Sequence, residues 1–210
     1  NEILAGKILI ETFSQEKDEL VLIFAAAEED GILINPFFIK ATLRSSFTSL
    51  SFPEKFDRAR RNSVNLFESV CGLKVIDVHV FLNERAFAIH LESGVHLVFK
   101  MYGNRSNIIS YDSEGAVVEL FNNKLSADQS LRLSSFDRPI DQTFEAFVAN
   151  EYHYQLLFPT FGKVINNYVS ELLIGVEEPE EKWRVIESVV QKLEEPTFYL
   201  VTHQLVPALF

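Results

Sequence analysis

The stretch that most restricts the fold lies at residues 86–101. Two apolar runs, 86–91 and 95–101, flank Glu92-Ser93-Gly94, which is the pattern of a β-hairpin in a half-buried sheet. The polar clusters on either side must then sit at strand ends. One is Asn83-Glu84-Arg85; the other is Asn104-Arg105-Ser106-Asn107, four consecutive side chains able to donate hydrogen bonds where Gly103 lets the backbone bend. Read plainly, both are polar turns in a meander. Read functionally, they present two guanidinium groups at neighbouring rims of one β layer.

The rest of the chain fits around that hairpin. Residues 7–15, 20–27, 32–35 and 37–43 read as strands, and 75–82, 107–111 and 116–121 continue the pattern. The opening hairpin and the central one share a layout, a weak internal repeat of the sort two similar sheets in a sandwich would leave. Between them, Ser51-Phe52-Pro53-Glu54 matches a capping box, and Phe56, Ala59, Leu66, Phe67 and Val70 recur at helical spacing before Gly72. A helix there would put Arg58, Arg61, Asn62 and Asn65 on one basic stripe, either a solvated face or a phosphate-contacting one. Residues 122–138 are polar with poor periodicity and read as a linker. Beyond it, Asp141 caps a helix to about Leu157, residues 158–163 break it, 164–173 restart one, and Pro179-Glu180-Glu181 opens a third. Residues 197–201 and 205–210 form a last apolar pair that stops mid-pattern, as in a fragment.

The expected architecture is therefore α+β, with an antiparallel β-sandwich or barrel ahead of a helical region. The expected domains are 1–125, β-rich; 126–140, a linker; 141–196, helical; and 197–210, the start of a further β element.

Composition removes several classes of function. The longest wholly apolar run, residues 20–27, is far short of a bilayer span. One cysteine, Cys71, excludes an internal disulfide framework and a cysteine-rich zinc site, and fits a reducing cytoplasm. The five histidines have no metal-ligand spacing and, taken one by one, read as structural. No glycine-rich phosphate loop and no GxSxG nucleophile turn occurs, so neither a cofactor nor catalysis is expected. Net charge is -11, which opposes nonspecific nucleic-acid binding. Locally, however, Lys40, Arg44, Lys55, Arg58, Arg60 and Arg61 are interleaved only with Glu54 and Asp57.

The run Asn83-Glu84-Arg85-Ala86-Phe87, with residues 100–109 and Asp112-Ser113-Glu114-Gly115, resembles the N-terminal domain of NFACT proteins, also called fibronectin-binding protein A homologues. Gly103-Asn104-Arg105-Ser106-Asn107 followed by Ile108-Ile109 is the most specific part, matching that family's Gly-x-x-Ser-Asn element and the two hydrophobic residues after it. The resemblance implies a fold like the β-rich N-terminal domain of formamidopyrimidine-DNA glycosylases, followed by a helix-hairpin-helix-like region. It also implies a noncatalytic role in ribosome-associated quality control, with tRNA and the large ribosomal subunit as partners. The family's Asp-Arg pair falls on Glu84 and Arg85, one methylene longer on the acid. On this reading the RNA-binding set is Glu84, Arg85, Asn83, Asn104, Arg105 and Asn107, extended by Arg58 and Arg61. Two other readings stand beside it: an extracellular-matrix binding protein, the activity behind the older family name, and a glycosylase-like DNA enzyme.

Overall fold

The computed structural model describes residues 1–199 and 208–209. The chain divides into two compact units, Asn1–Arg138 and Pro139–Phe210.

In the first unit the strands are β1 (Ile8–Ser14), β2 (Glu19–Ala25), β3 (Ala27–Glu29), β4 (Ile32–Ile34), β5 (Phe37–Arg44), β6 (Phe47–Ser51) and β7 (Val64–Asn65), then β8 (Val75–Val80), β9 (Ala86–Leu91), β10 (His96–Lys100), β11 (Asn107–Tyr111) and β12 (Val117–Leu120). They form two open five-stranded sheets of order β6-β5-β2-β1-β7 and β12-β11-β10-β9-β8, plus the small hairpin β3-β4. Every pairing is antiparallel. Neither five-stranded sheet closes into a barrel, so of the two expected architectures the open one is found.

The two sheets share one core. Leu9, Leu20, Leu22, Phe24 and Ile39 of the first meet Ile89, Leu91, Leu97, Phe99 and Ile108 of the second. These positions alternate along each strand, so period-2 patterning alone directs them to one face. Each outer face has its own cover. On the first sheet Phe13, Val21, Ile23 and Phe38 pack with Leu33 and Phe56. On the second, Ala86, Ala88, Val98, Ile109 and Tyr111 lie under Leu131, Leu133 and Phe136.

Two expectations fail in this unit. No α-helix forms between Glu54 and Cys71; a single 3-10 turn, Glu68–Val70, is the only helical piece there. Ser51, the supposed cap, closes β6 opposite Lys40, and Asn62 and Phe67 adopt left-handed backbone angles, φ 59° and 51°, that interrupt any helix. The apolar positions have separate fates instead: Phe56 packs against the Phe13 ring at 5.9 Å, Phe67 is fully enclosed and Ala59 is exposed. Residues 126–138 are not a linker either. They carry two 3-10 turns, Ser126–Ser130 and Leu133–Ser135, and bury Asp128 and Phe136 over the second sheet.

The second unit contains α1 (Phe144–Ala149), α2 (Tyr154–Leu157), α3 (Lys163–Leu172) and α4 (Pro179–Glu194). The single helix expected over 141–157 is split, because Glu151 and Tyr152 both take left-handed angles, φ 53° and 64°. Packing of the Tyr152 ring on Phe147, 5.5 Å between centroids, offsets that strain. Thr143 rather than Asp141 is the N-cap, its hydroxyl accepting from the Ala146 amide. Phe147, Leu157, Val169, Trp183 and Ile186 form the core. Among the described residues no helix is long and apolar enough to cross a membrane. Of the last expected strands, Phe198–Tyr199 pairs with Ala208–Leu209; residues 200–207 and 210 lie outside the described residues.

Candidate functional site

β8 and β10 run the same way in the second sheet's meander, so the turns that follow them, 81–85 and 101–106, emerge at the same end. The backbone joins them directly, Met101 N donating to the Arg85 carbonyl at 2.9 Å. Arg85 and Arg105 are both exposed. Neither guanidinium has a carboxylate within ion-pair distance among the described residues. Asn104, beside Arg105, is exposed as well.

The remaining members of the expected set at this end are bonded within the fold. Glu84 lies inward, with a side chain 9% exposed, and accepts from Arg138 Nε at 2.5 Å. Its other oxygen accepts from the Tyr102 hydroxyl. Burial first, then the Glu84 acceptor and its charge, pushes the Tyr102 phenol well above its usual range, so it stays a donor. Asn83 takes the left-handed turn conformation at φ 54° and donates to the Arg138 carbonyl at 2.8 Å. Asn107, assigned to the RNA-binding set, is fully buried and offers an external ligand nothing. Its amide nitrogen bonds Asp128 Oδ2 at 2.9 Å and the Asn122 carbonyl at 3.2 Å, while its oxygen accepts from the amides of Ile108 and Asn122.

Beneath the turns Lys100 and Asp128, each 5% exposed, form an ion pair of 2.5 Å. The Lys100 ammonium also lies 5.4 Å from the Tyr102 ring centroid. A continuous polar chain thus runs from Asn122 through Asn107, Asp128, Lys100, Tyr102 and Glu84 to Arg138. It ties residues 122–138 to the turn end that also carries the exposed Arg85 and Arg105. Asp128 and Arg138 escape a reading of the sequence because both fall in the supposed linker; the apolar positions Leu131, Leu133 and Phe136 are the available signal that this segment packs.

Arg58 and Arg61 do not form a stripe. Arg58 sits 4.5 Å over the Phe13 ring, paired with Glu11 and bonded to Ser63 and Asn65, while Arg61 is exposed in an irregular segment. Nor does the local basic excess survive folding whole. Lys40 pairs with Glu19 at 2.8 Å and Arg44 with Glu16 at 3.6 Å, so acids from the first hairpin neutralise half of the six cations. Among the described residues no group of three or more His, Cys, Asp or Glu side chains is arranged to hold a metal ion.

No protein-family model matches the sequence, and no curated protein does. Solved structures do. The fibrinogen binding protein from Staphylococcus aureus aligns at 12% identity with a TM-score of 0.66, over 100% of this chain and 84% of that one. The N-terminal part of the fibronectin/fibrinogen-binding protein from Streptococcus suis aligns at 15% identity with a TM-score of 0.57, over 88% and 78%. At such identity the likeness establishes the fold alone: the chain is folded like a fibrinogen binding protein and like the N-terminal part of a fibronectin/fibrinogen-binding protein.

Proposed function

We propose that the chain is a noncatalytic binding module whose partner is an extracellular-matrix protein of the fibronectin or fibrinogen kind. The observation that supports this reading is the likeness of nearly the whole chain to two solved structures named for that activity. The contact surface in this reading is the loop end carrying Arg85 and Arg105. The hydrogen bonds and ion pairs that hold Glu84, Tyr102, Lys100 and Asp128 in place keep the ordering cost of docking small. The deciding experiment passes the chain over immobilised fibronectin, fibrinogen and serum albumin at fixed salt. Saturable binding to fibronectin or fibrinogen and none to albumin is expected; failure to bind either matrix protein removes the reading.

One observation favours a second reading. Two exposed guanidinium groups without acid partners, at one end of one sheet, suit a polyanion. Here the chain is an NFACT-type domain in the cytoplasm that recognises tRNA on an obstructed large ribosomal subunit, with Arg85, Arg105 and Asn104 at the phosphate or ribose contacts. The net charge of -11 weighs against it. In the same experiment immobilised tRNA is the discriminating surface. Binding to tRNA that weakens steeply with salt, with none to the matrix proteins, transfers the assignment to RNA.

A further inference from the structure

The outer face of the second sheet carries a different constellation. Register places Asp77, His90, His96 and Tyr111 directly opposite one another across β8, β9, β10 and β11. His79, two residues along β8 from Asp77, joins them. The His79 and His90 rings are stacked with centroids 5.9 Å apart, and the His90 and His96 rings meet edge to face at 4.6 Å. These three imidazoles line a cleft of about 520 Å³ together with Phe81, Arg132 and Leu133. That volume falls in the range of small-molecule sites.

Of the carboxylates in and beside this cleft, Asp137 is committed, whereas Asp77 Oδ1 lies close to an imidazole yet is buried without a hydrogen bond. His90 Nδ1 is 2.8 Å from Asp77 Oδ1. His79 Nε2 is 3.2 Å from Asp137 Oδ2, and Asp137 also accepts from the Leu82 amide at 2.9 Å. Glu114 is the remaining acid and is exposed. The donors are less committed. Among the described residues Arg132 has no carboxylate partner, and the hydroxyls of Ser113 and Ser134, also on the cleft wall, have no hydrogen-bond partner. His96 Nδ1 and the Tyr111 hydroxyl are buried without a hydrogen-bond partner. A buried, unpartnered Nδ1 is best accommodated as a bare lone pair, which leaves the proton on Nε2 as a further donor. A guanidinium fork, imidazole N–H groups and serine hydroxyls together are a donor set for phosphate oxygens. The apolar wall of Phe81 and Leu133 suits an organic remainder, and the cleft is larger than a bare phosphate requires.

We infer that this cleft binds a small organic phosphate, its phosphoryl group held by Arg132 and His96 and its carbon skeleton lying against Phe81 and Leu133. The test follows the imidazole resonances of the full chain by NMR during titration with ribose 5-phosphate, inorganic phosphate and ribose. Ribose 5-phosphate shifts His79, His90 and His96 saturably and binds more tightly than inorganic phosphate, while ribose has no effect. Arg132→Ala and His96→Gln each weaken binding about tenfold or more, and Lys17→Ala, in the exposed turn of the first hairpin, does not. Absence of saturable shifts, equal or tighter binding of inorganic phosphate, or unchanged binding in both site variants overturns the proposal. Retained chemical-shift dispersion in each variant separates loss of binding from loss of fold.

Discussion

Replacing Asp128 with alanine tests whether the polar chain beneath the arginine turns holds the first unit together. The Asp128 and Lys100 side chains are 8% and 6% exposed and 2.5 Å apart. The substitution strands a buried ammonium and also removes the acceptor of the Asn107 amide. Breaking a buried pair from one side costs about 3–5 kcal/mol. For a unit spanning Asn1–Arg138, that lowers the melting temperature by about 10–20 °C. Replacing both partners, Lys100→Met with Asp128→Leu, leaves no stranded charge and should recover most of the loss, to within about 1–2 kcal/mol of the parent. Urea unfolding followed by amide hydrogen exchange in β10 and β11 reads this unit specifically. Trp183, the only tryptophan, reports the helical unit by fluorescence. A loss below about 1 kcal/mol for Asp128→Ala would show that Lys100 is effectively solvated and that the chain of contacts is not structural.

Phe136 offers a second check, because it is 4% exposed and stacked 5.0 Å from Phe81. Phe136→Ala should destabilise the first unit by about 3–5 kcal/mol in denaturant unfolding, whereas a linker position would register almost nothing. The pH dependence of stability carries a third. Burial, then the neighbouring His90, holds the His96 imidazole below its ordinary 6.5, with Asp77 partly opposing. The unfolded chain therefore takes up that proton first, and stability falls as pH drops through 6.5 towards the lower folded value. His96→Gln should flatten the melting profile in that window. The Asp137 carboxyl, lowered mainly by the Leu82 amide, contributes stability that is lost only as pH falls below its ordinary 3.8.

What is legible in the sequence is set by short-range periodicity. The hairpin of β9 and β10 and strand β11 appear within a residue of their expected bounds, because alternation fixes which face is buried. The capping box at Ser51 misleads because the same residues serve equally well as a strand end, and pairing with β5 decides between them. Tertiary context also undoes the basic stripe, since Glu11, Glu16 and Glu19 are remote in sequence from the cations they neutralise. Within the candidate site, the exposure of Arg85 and Arg105 is readable because turn residues between strands face solvent. The inward turn of Glu84 is not, because its partners Tyr102 and Arg138 are 18 and 54 positions away. The histidine row is hidden for a related reason: each imidazole weighed alone reads as structural, although symmetric pairing about the 92–94 turn already sets His90 opposite His96.

The most direct test of matrix-protein binding through the arginine turns is the double substitution Arg85→Ala with Arg105→Ala, measured against immobilised fibronectin and fibrinogen at fixed salt. Affinity should fall about tenfold or more with an unchanged unfolding midpoint, since neither guanidinium has an ion-pair partner to lose among the described residues. Undiminished binding by a folded double variant would contradict that assignment.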